Sequence, residues 1–151
     1  MGDTDVKRIV IFQSTVYDTS LPEGAEPDAA LPSGRCVGEY LMAELAKRDA
    51  DVECLGPFED EDHWAVAIEY AGRSFWLIIH FVPLGEPGVE PEDYWVVQVV
   101  PRRTLLDRLA RRCVVSRELR QLCQFVGEAV EQVSDVHEPV WLSESEFRKL
   151  Y

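Results

Sequence analysis

Six consecutive residues carry the densest chemistry in the chain: Glu59, Asp60, Glu61, Asp62, His63 and Trp64. Four carboxylates beside an imidazole raise two chemistries, metal ligation and general-base catalysis. Side chains along an extended segment alternate in direction, so consecutive acids do not converge on one ion. A calcium loop of the EF-hand kind needs acids at alternating positions, a glycine and a distant glutamate, and this stretch lacks that pattern. As a general base His63 needs an orienting carboxylate, a role open to Glu61 or Asp62, and a nucleophile within reach. No Gly-x-Ser-x-Gly motif supplies a nucleophile, and no cysteine has a motif context. The stretch therefore reads as a solvated acidic turn that feeds a strand, with Trp64 opening the buried face. No metal, no cofactor and no catalytic residue are expected.

The elements that position this turn follow from periodicity. Residues 6–16 are β-branched and aromatic and read as a strand. Residues 17–33 form a long acidic loop spaced by Pro22, Pro27 and Pro32. A helix over 34–50 places Val37, Tyr40, Leu41 and Leu45 on one face, with Ser33 as its cap. A short strand at 51–55 closes at Gly56-Pro57. Strand 63–70 sets Trp64, Val66, Ile68 and Tyr70 on one face and Ala65, Ala67 and Glu69 on the other. A turn at Ala71-Gly72-Arg73 leads into residues 73–84, apolar on both faces and so central in a sheet. After a second acidic loop (85–93), residues 94–100 make a further strand ended by Pro101. The remainder reads as helical. One helix starts at Thr104 and runs inward through Leu105, Leu106, Leu109 and Cys113. Another over 116–133 has its stripe at Leu119, Leu122, Cys123, Val126, Val130 and Val133. Ser143 and Glu146 form a capping box before a last helical turn.

The order β-α-β-β-β-β-α-α predicts one α+β domain over residues 1–151. Its sheet has about five mainly antiparallel strands, with helices on one face. At 151 residues the chain is long enough for a core without staples.

Charge bounds the partners. The net charge of −13 repels nucleic acid and anionic lipid and attracts cationic partners. Residues 1–101 hold 20 acids against 6 bases, while residues 102–120 hold seven arginines against Asp107 and Glu118. No aromatics interleave with those arginines and no glycine-rich loop precedes them, so the ridge lacks nucleic-acid and phosphate-loop signatures. It reads as a solvated helix face that satisfies acidic loops. Cys36, Cys54, Cys113 and Cys123 fall in no Cys-x-x-Cys arrangement. They read as small apolar residues of a reducing compartment. The longest apolar run, 75–84, is about half of what a spanning helix needs. A soluble, cytoplasmic protein is expected.

Aromatics gather in and near the sheet: Trp64, Trp76, Trp95 and Trp141, with Tyr70, Phe75 and Tyr94. With helices on one face only, part of this set is left outside the core, and aromatics rimmed by acid make a binding surface. Glu59, Asp60, Glu61, Asp62 and Trp64 are the candidate partner-binding residues, with the 17–33 loop as a second edge. The alternative is a small-molecule or enzymatic pocket built from His63, His80, Trp76 and Trp95. A third reading is a homodimer through the sheet edge or through arginines meeting acidic loops.

The succession GRCVGEYLMAELAKR, EDHWAVAIEYAGRSFWLIIHF and DYWVVQVVPRRTLLDRL resembles a type of small bacterial protein of unknown function. Shared features are a glycine-led helix, an acid-Trp strand entry and a glycine turn into an aromatic strand. The resemblance covers roughly residues 34–110, and its motifs are structural, so no catalytic residue is carried over. In general look the chain is similar to compact acidic immunity proteins that neutralise toxins, which implies a basic protein partner. The Ala- and Arg-rich, Lys-poor usage fits a GC-rich bacterium.

Overall fold

Alternation and helical periodicity lay out the strands and helices of the computed structural model, which describes residues 7–14, 35–60, 63–102, 117–134 and 138–150. The strands are β1 (Ile9–Phe12), β2 (Val52–Glu59), β3 (Trp64–Tyr70), β4 (Arg73–Leu84), β5 (Glu92–Pro101) and β6 (Val140–Leu142). The helices are α1 (Arg35–Arg48), α2 (Arg117–Glu131) and the short α3 (Glu144–Arg148). All strand pairs are antiparallel, in the order β2-β3-β4-β5-β1-β6. The α+β class with a mainly antiparallel sheet is thus present, with six strands instead of about five. The sixth, β6, is only three residues long and pairs with β1 at the sheet's far edge. A segment that short has too little alternation to be read from sequence.

One face of the sheet carries the main core. Val10 and Phe12 of β1, Val66 and Ile68 of β3, Leu77 and Ile79 of β4, and Val97 and Val99 of β5 point to it. Val37, Leu41 and Leu45 of α1 and Leu119, Leu122, Val126 and Val130 of α2 close over them. These spacings are the period of 2 for strands and 3.6 for helices, so each element buries one stripe. The other face carries a smaller cluster at one end: Ile9, Ile11, Leu84, Val96 and Leu142, joined by Phe147 next to the sheet. Helices on one face therefore describes α1 and α2. The short α3 lies with the second cluster, and its Ser143–Glu146 capping box is formed as the sequence suggests.

Two glycines allow close packing. A Cβ on Gly38 in α1 would lie 3.1 Å from Pro57 and 3.3 Å from Ile79, so its absence lets α1 settle onto the sheet. A Cβ on Gly127 would lie 3.3 Å from the ring of Trp141, which uses that gap to lean on α2. The two long helices are clasped by Tyr40, whose hydroxyl donates to the Ala129 carbonyl at 2.8 Å. They are also linked by Arg48, which reaches Glu44 at 2.7 Å and Glu128 at 3.3 Å. The acidic loop at 17–33, the helix expected from Thr104, Cys113 and most of the arginine ridge lie outside the described residues.

Candidate functional site

The sheet edge at β2 brings together most of the chemistry singled out in the sequence. β2 is an eight-residue strand, longer than the 51–55 segment expected, because it continues through Gly56-Pro57. Its register with β3 shifts there: Leu55 opposes Ala67, but Phe58, three residues on, opposes Ala65, two residues back. One extra residue in β2 is a β-bulge. Gly56, with φ of 123°, takes a backbone conformation that favours glycine.

The bulge has a specific consequence. Side chains in a strand alternate, so Leu55 and Phe58 would face opposite ways in a regular strand. The inserted residue rephases them onto the same face, above the small Ala65 and Ala67 of β3. Leu55 is 66% exposed and Phe58 45% exposed. Phe58 meets Trp76 of β4 edge-on, with ring centres 6.5 Å apart. Exposed carboxylates flank this stretch along the chain: Asp51 and Glu53 before it, Glu59 and Asp60 after it, with Glu59 opposite Trp64 and so alternating to the other face. At the Asp51 end the surface deepens into an open groove of about 440 Å³, lined by Asp51, Glu53, Glu69 and Tyr70 with the Ala71-Gly72 turn. The Tyr70 hydroxyl donates to Asp49 at 3.1 Å. Burial first, and then this hydrogen bond to a carboxylate, raise its pKa above the usual phenol range.

The sequence-derived candidates divide. Glu59 and Asp60 are exposed on this edge; Glu61 and Asp62 lie outside the described residues. Trp64 does not belong to the surface. It is 5% exposed and sits in the main core, because its place in β3 puts it on the helix-covered face with Val66 and Ile68. The proposed pocket of His63, His80, Trp76 and Trp95 is likewise split by the pleat. Trp95 is 1% exposed and packs on Phe81 in the main core, ring centres 4.7 Å apart. Trp76 is half-buried on the other face, two strand positions from Ile78 and four from His80. Leu55 and Phe58 went unread as surface anchors. The signal was the Gly-Pro pair inside a β-rich run, which can mark a bulge as well as a strand end.

The two histidines do come together. The pairing of Trp64 with Ile79 sets the next position, His63, opposite His80. Their rings lie 5.2 Å apart, tilted by 40°. The carboxylate beside His63 is Asp60, at 3.4 Å from Nε2, rather than Glu61 or Asp62 as the sequence suggested. The same two residues also close the turn, with the Asp60 N–H donating to the His63 carbonyl at 2.9 Å.

Cys54 and Cys123 are half-buried thiols outside any disulfide. Burial pushes them up to about 11 and about 12, so neither is poised as a thiolate nucleophile. Among the described residues no three His, Cys, Asp or Glu side chains are gathered as a metal site, and no helix is long and apolar enough to cross a membrane. Comparison of the chain with protein-family models, with curated proteins and with solved structures returned no match.

Proposed function

We propose that this chain is a non-enzymatic binding protein that holds a basic protein partner against the β2 edge. The sharpest form of this reading is an immunity or inhibitor protein that neutralises the partner. One observation carries it: the bulge sets Leu55 and Phe58 on the same face of an exposed edge strand, with the exposed carboxylates Asp51, Glu53, Glu59 and Asp60 flanking them along the chain. Apolar anchors supply affinity by desolvation, and an acidic rim supplies orientation and a fast encounter with a cationic surface. The net charge of −13 extends that attraction beyond the contact patch.

The same charges argue against a homodimer through this edge. In a two-fold β2–β2 pairing centred on Gly56, Glu53 of one copy would oppose Glu59 of the other, a like-charge pair that is destabilising across a sheet. Acids along an edge strand also guard it against self-association. The unlinked, half-buried thiols Cys54 and Cys123 fit a reducing, cytoplasmic setting.

The test is a pull-down at low salt from the source lysate with three baits: wild type, Leu55→Asp/Phe58→Asp, and Glu59→Lys/Asp60→Lys. Support is a basic protein captured in stoichiometric amount by wild type, released by salt, and lost with both variants. Capture that survives the Leu55→Asp/Phe58→Asp change would overturn the assignment of this surface.

A further inference from the structure

His80 of β4 and His63, the residue that directly precedes β3, bring their rings to 5.2 Å, and alternation from Trp64 and Ile79 sets both on the face that α1 and α2 leave open. We propose that these two imidazoles form a bidentate site for a divalent transition-metal ion of the copper, nickel and zinc class, with water completing the coordination.

The spacing fits the chemistry. A zinc-bound imidazole nitrogen lies about 2.0–2.1 Å from the ion, so its ring centre lies about 3.2 Å away, and two rings at a tetrahedral angle stand about 5 Å apart. The observed separation is 5.2 Å. The strands fix it: β3 and β4 are joined by a two-residue turn at Ala71-Gly72, and their pairing runs unbroken from Tyr70↔Arg73 to Trp64↔Ile79. His80 is thus held within β4, and His63 directly precedes the first paired residue of β3, Trp64.

Asp60 adds the outer partner such sites use. Its carboxylate stands 3.4 Å from His63 Nε2. A carboxylate on one ring nitrogen fixes the tautomer and orientation of a metal-binding histidine. Here it is a positioning residue and not a ligand. The ligand type then sets the metal class: imidazoles suit Cu²⁺, Ni²⁺ and Zn²⁺, whereas Mg²⁺ and Ca²⁺ prefer carboxylate oxygens. With two protein ligands the ion stays open to solvent and exchangeable. This site lies beyond the protein-binding reading and does not depend on it.

The experiment is calorimetric titration of the chelator-stripped full chain with CuCl₂, NiCl₂ and ZnCl₂, run in millimolar Mg²⁺ to occupy surface carboxylates. One equivalent is expected to bind per chain, with Cu²⁺ tightest in keeping with the Irving–Williams order. His63→Gln and His80→Gln are each expected to weaken binding at least tenfold, and Asp60→Asn by about 10–100-fold. A second measurement needs no substitution: substoichiometric Cu²⁺ should broaden the ring-proton NMR signals of His63 and His80 ahead of those of His137. Absence of saturable uptake, uptake unchanged in both histidine variants, or broadening centred on His137 would each overturn the proposal.

Discussion

Truncating two aromatic residues, Trp64→Ala and Phe58→Ala, separates core from surface at the acidic turn. They lie six residues apart in sequence, on either side of the acidic turn. In the structure Trp64 is 5% exposed within the main core, while Phe58 is 45% exposed on the opposite face. Deleting a buried tryptophan removes its transfer free energy and leaves a cavity, for a loss of about 3–5 kcal/mol. A phenylalanine whose full burial is worth about 1.5–3 kcal/mol, but which is only half-buried, should cost about 1 kcal/mol. For a chain of this length each kcal/mol moves the midpoint by about 2–4 °C, so Trp64→Ala should lower Tm by about 10–15 °C and Phe58→Ala by about 3 °C. Thermal unfolding followed by far-UV circular dichroism reads both. Partner capture should show the reverse ranking: Phe58→Ala lowers it in a fully folded protein, and Trp64→Ala leaves it intact below its own Tm. Equal Tm losses for the two variants, or a Trp64→Ala protein as stable as wild type, would refute the placement of these residues on opposite faces.

Other outcomes follow from single contacts. Ala71, at φ of 50° in the two-residue turn, occupies a position suited to Asn or Gly, so Ala71→Asn should raise stability by up to about 1 kcal/mol in denaturant titration. Tyr40→Phe removes a 2.8 Å bond to a carbonyl in the last turn of α2, where intrahelical partners run out, and should cost about 1 kcal/mol by the same assay. At pH 8, iodoacetamide labelling mapped by mass spectrometry should leave Cys54 and Cys123 largely unmodified until the protein unfolds, since a thiol near 11 is thiolate in only about one molecule per thousand. Because folding raises these two values, the unfolded chain ionises first as pH rises. Their contribution to stability is present below the ordinary thiol value and is lost between about pH 8.5 and the folded values near 11 and 12, which denaturant midpoints at pH 7, 9 and 10 would track.

By itself the sequence determined the parts whose cause is local. Alternation set β3, β4 and β5 and the faces of Trp64, Val66 and Ile68. Helical periodicity set α1 and the apolar stripe of α2, and side-chain chemistry set the Ser143–Glu146 cap. The apolar run through β4 announced an interior strand, and the structure places it between β3 and β5. What only the tertiary structure decided depends on residues distant in the chain or on one-residue register. The bulge at Gly56-Pro57 turned Phe58 onto the face of Leu55, an effect of strand pairing that composition does not encode. The pleat sent Trp95 into the core and left Trp76 half-buried on the other face. The 63–80 juxtaposition arose because the Ala71-Gly72 turn fixes which residues oppose one another across β3 and β4. Periodicity says which side chains share a face of one strand. Only pairing says which side chains of two strands meet, and both the β2 surface and the histidine pair are made of such meetings.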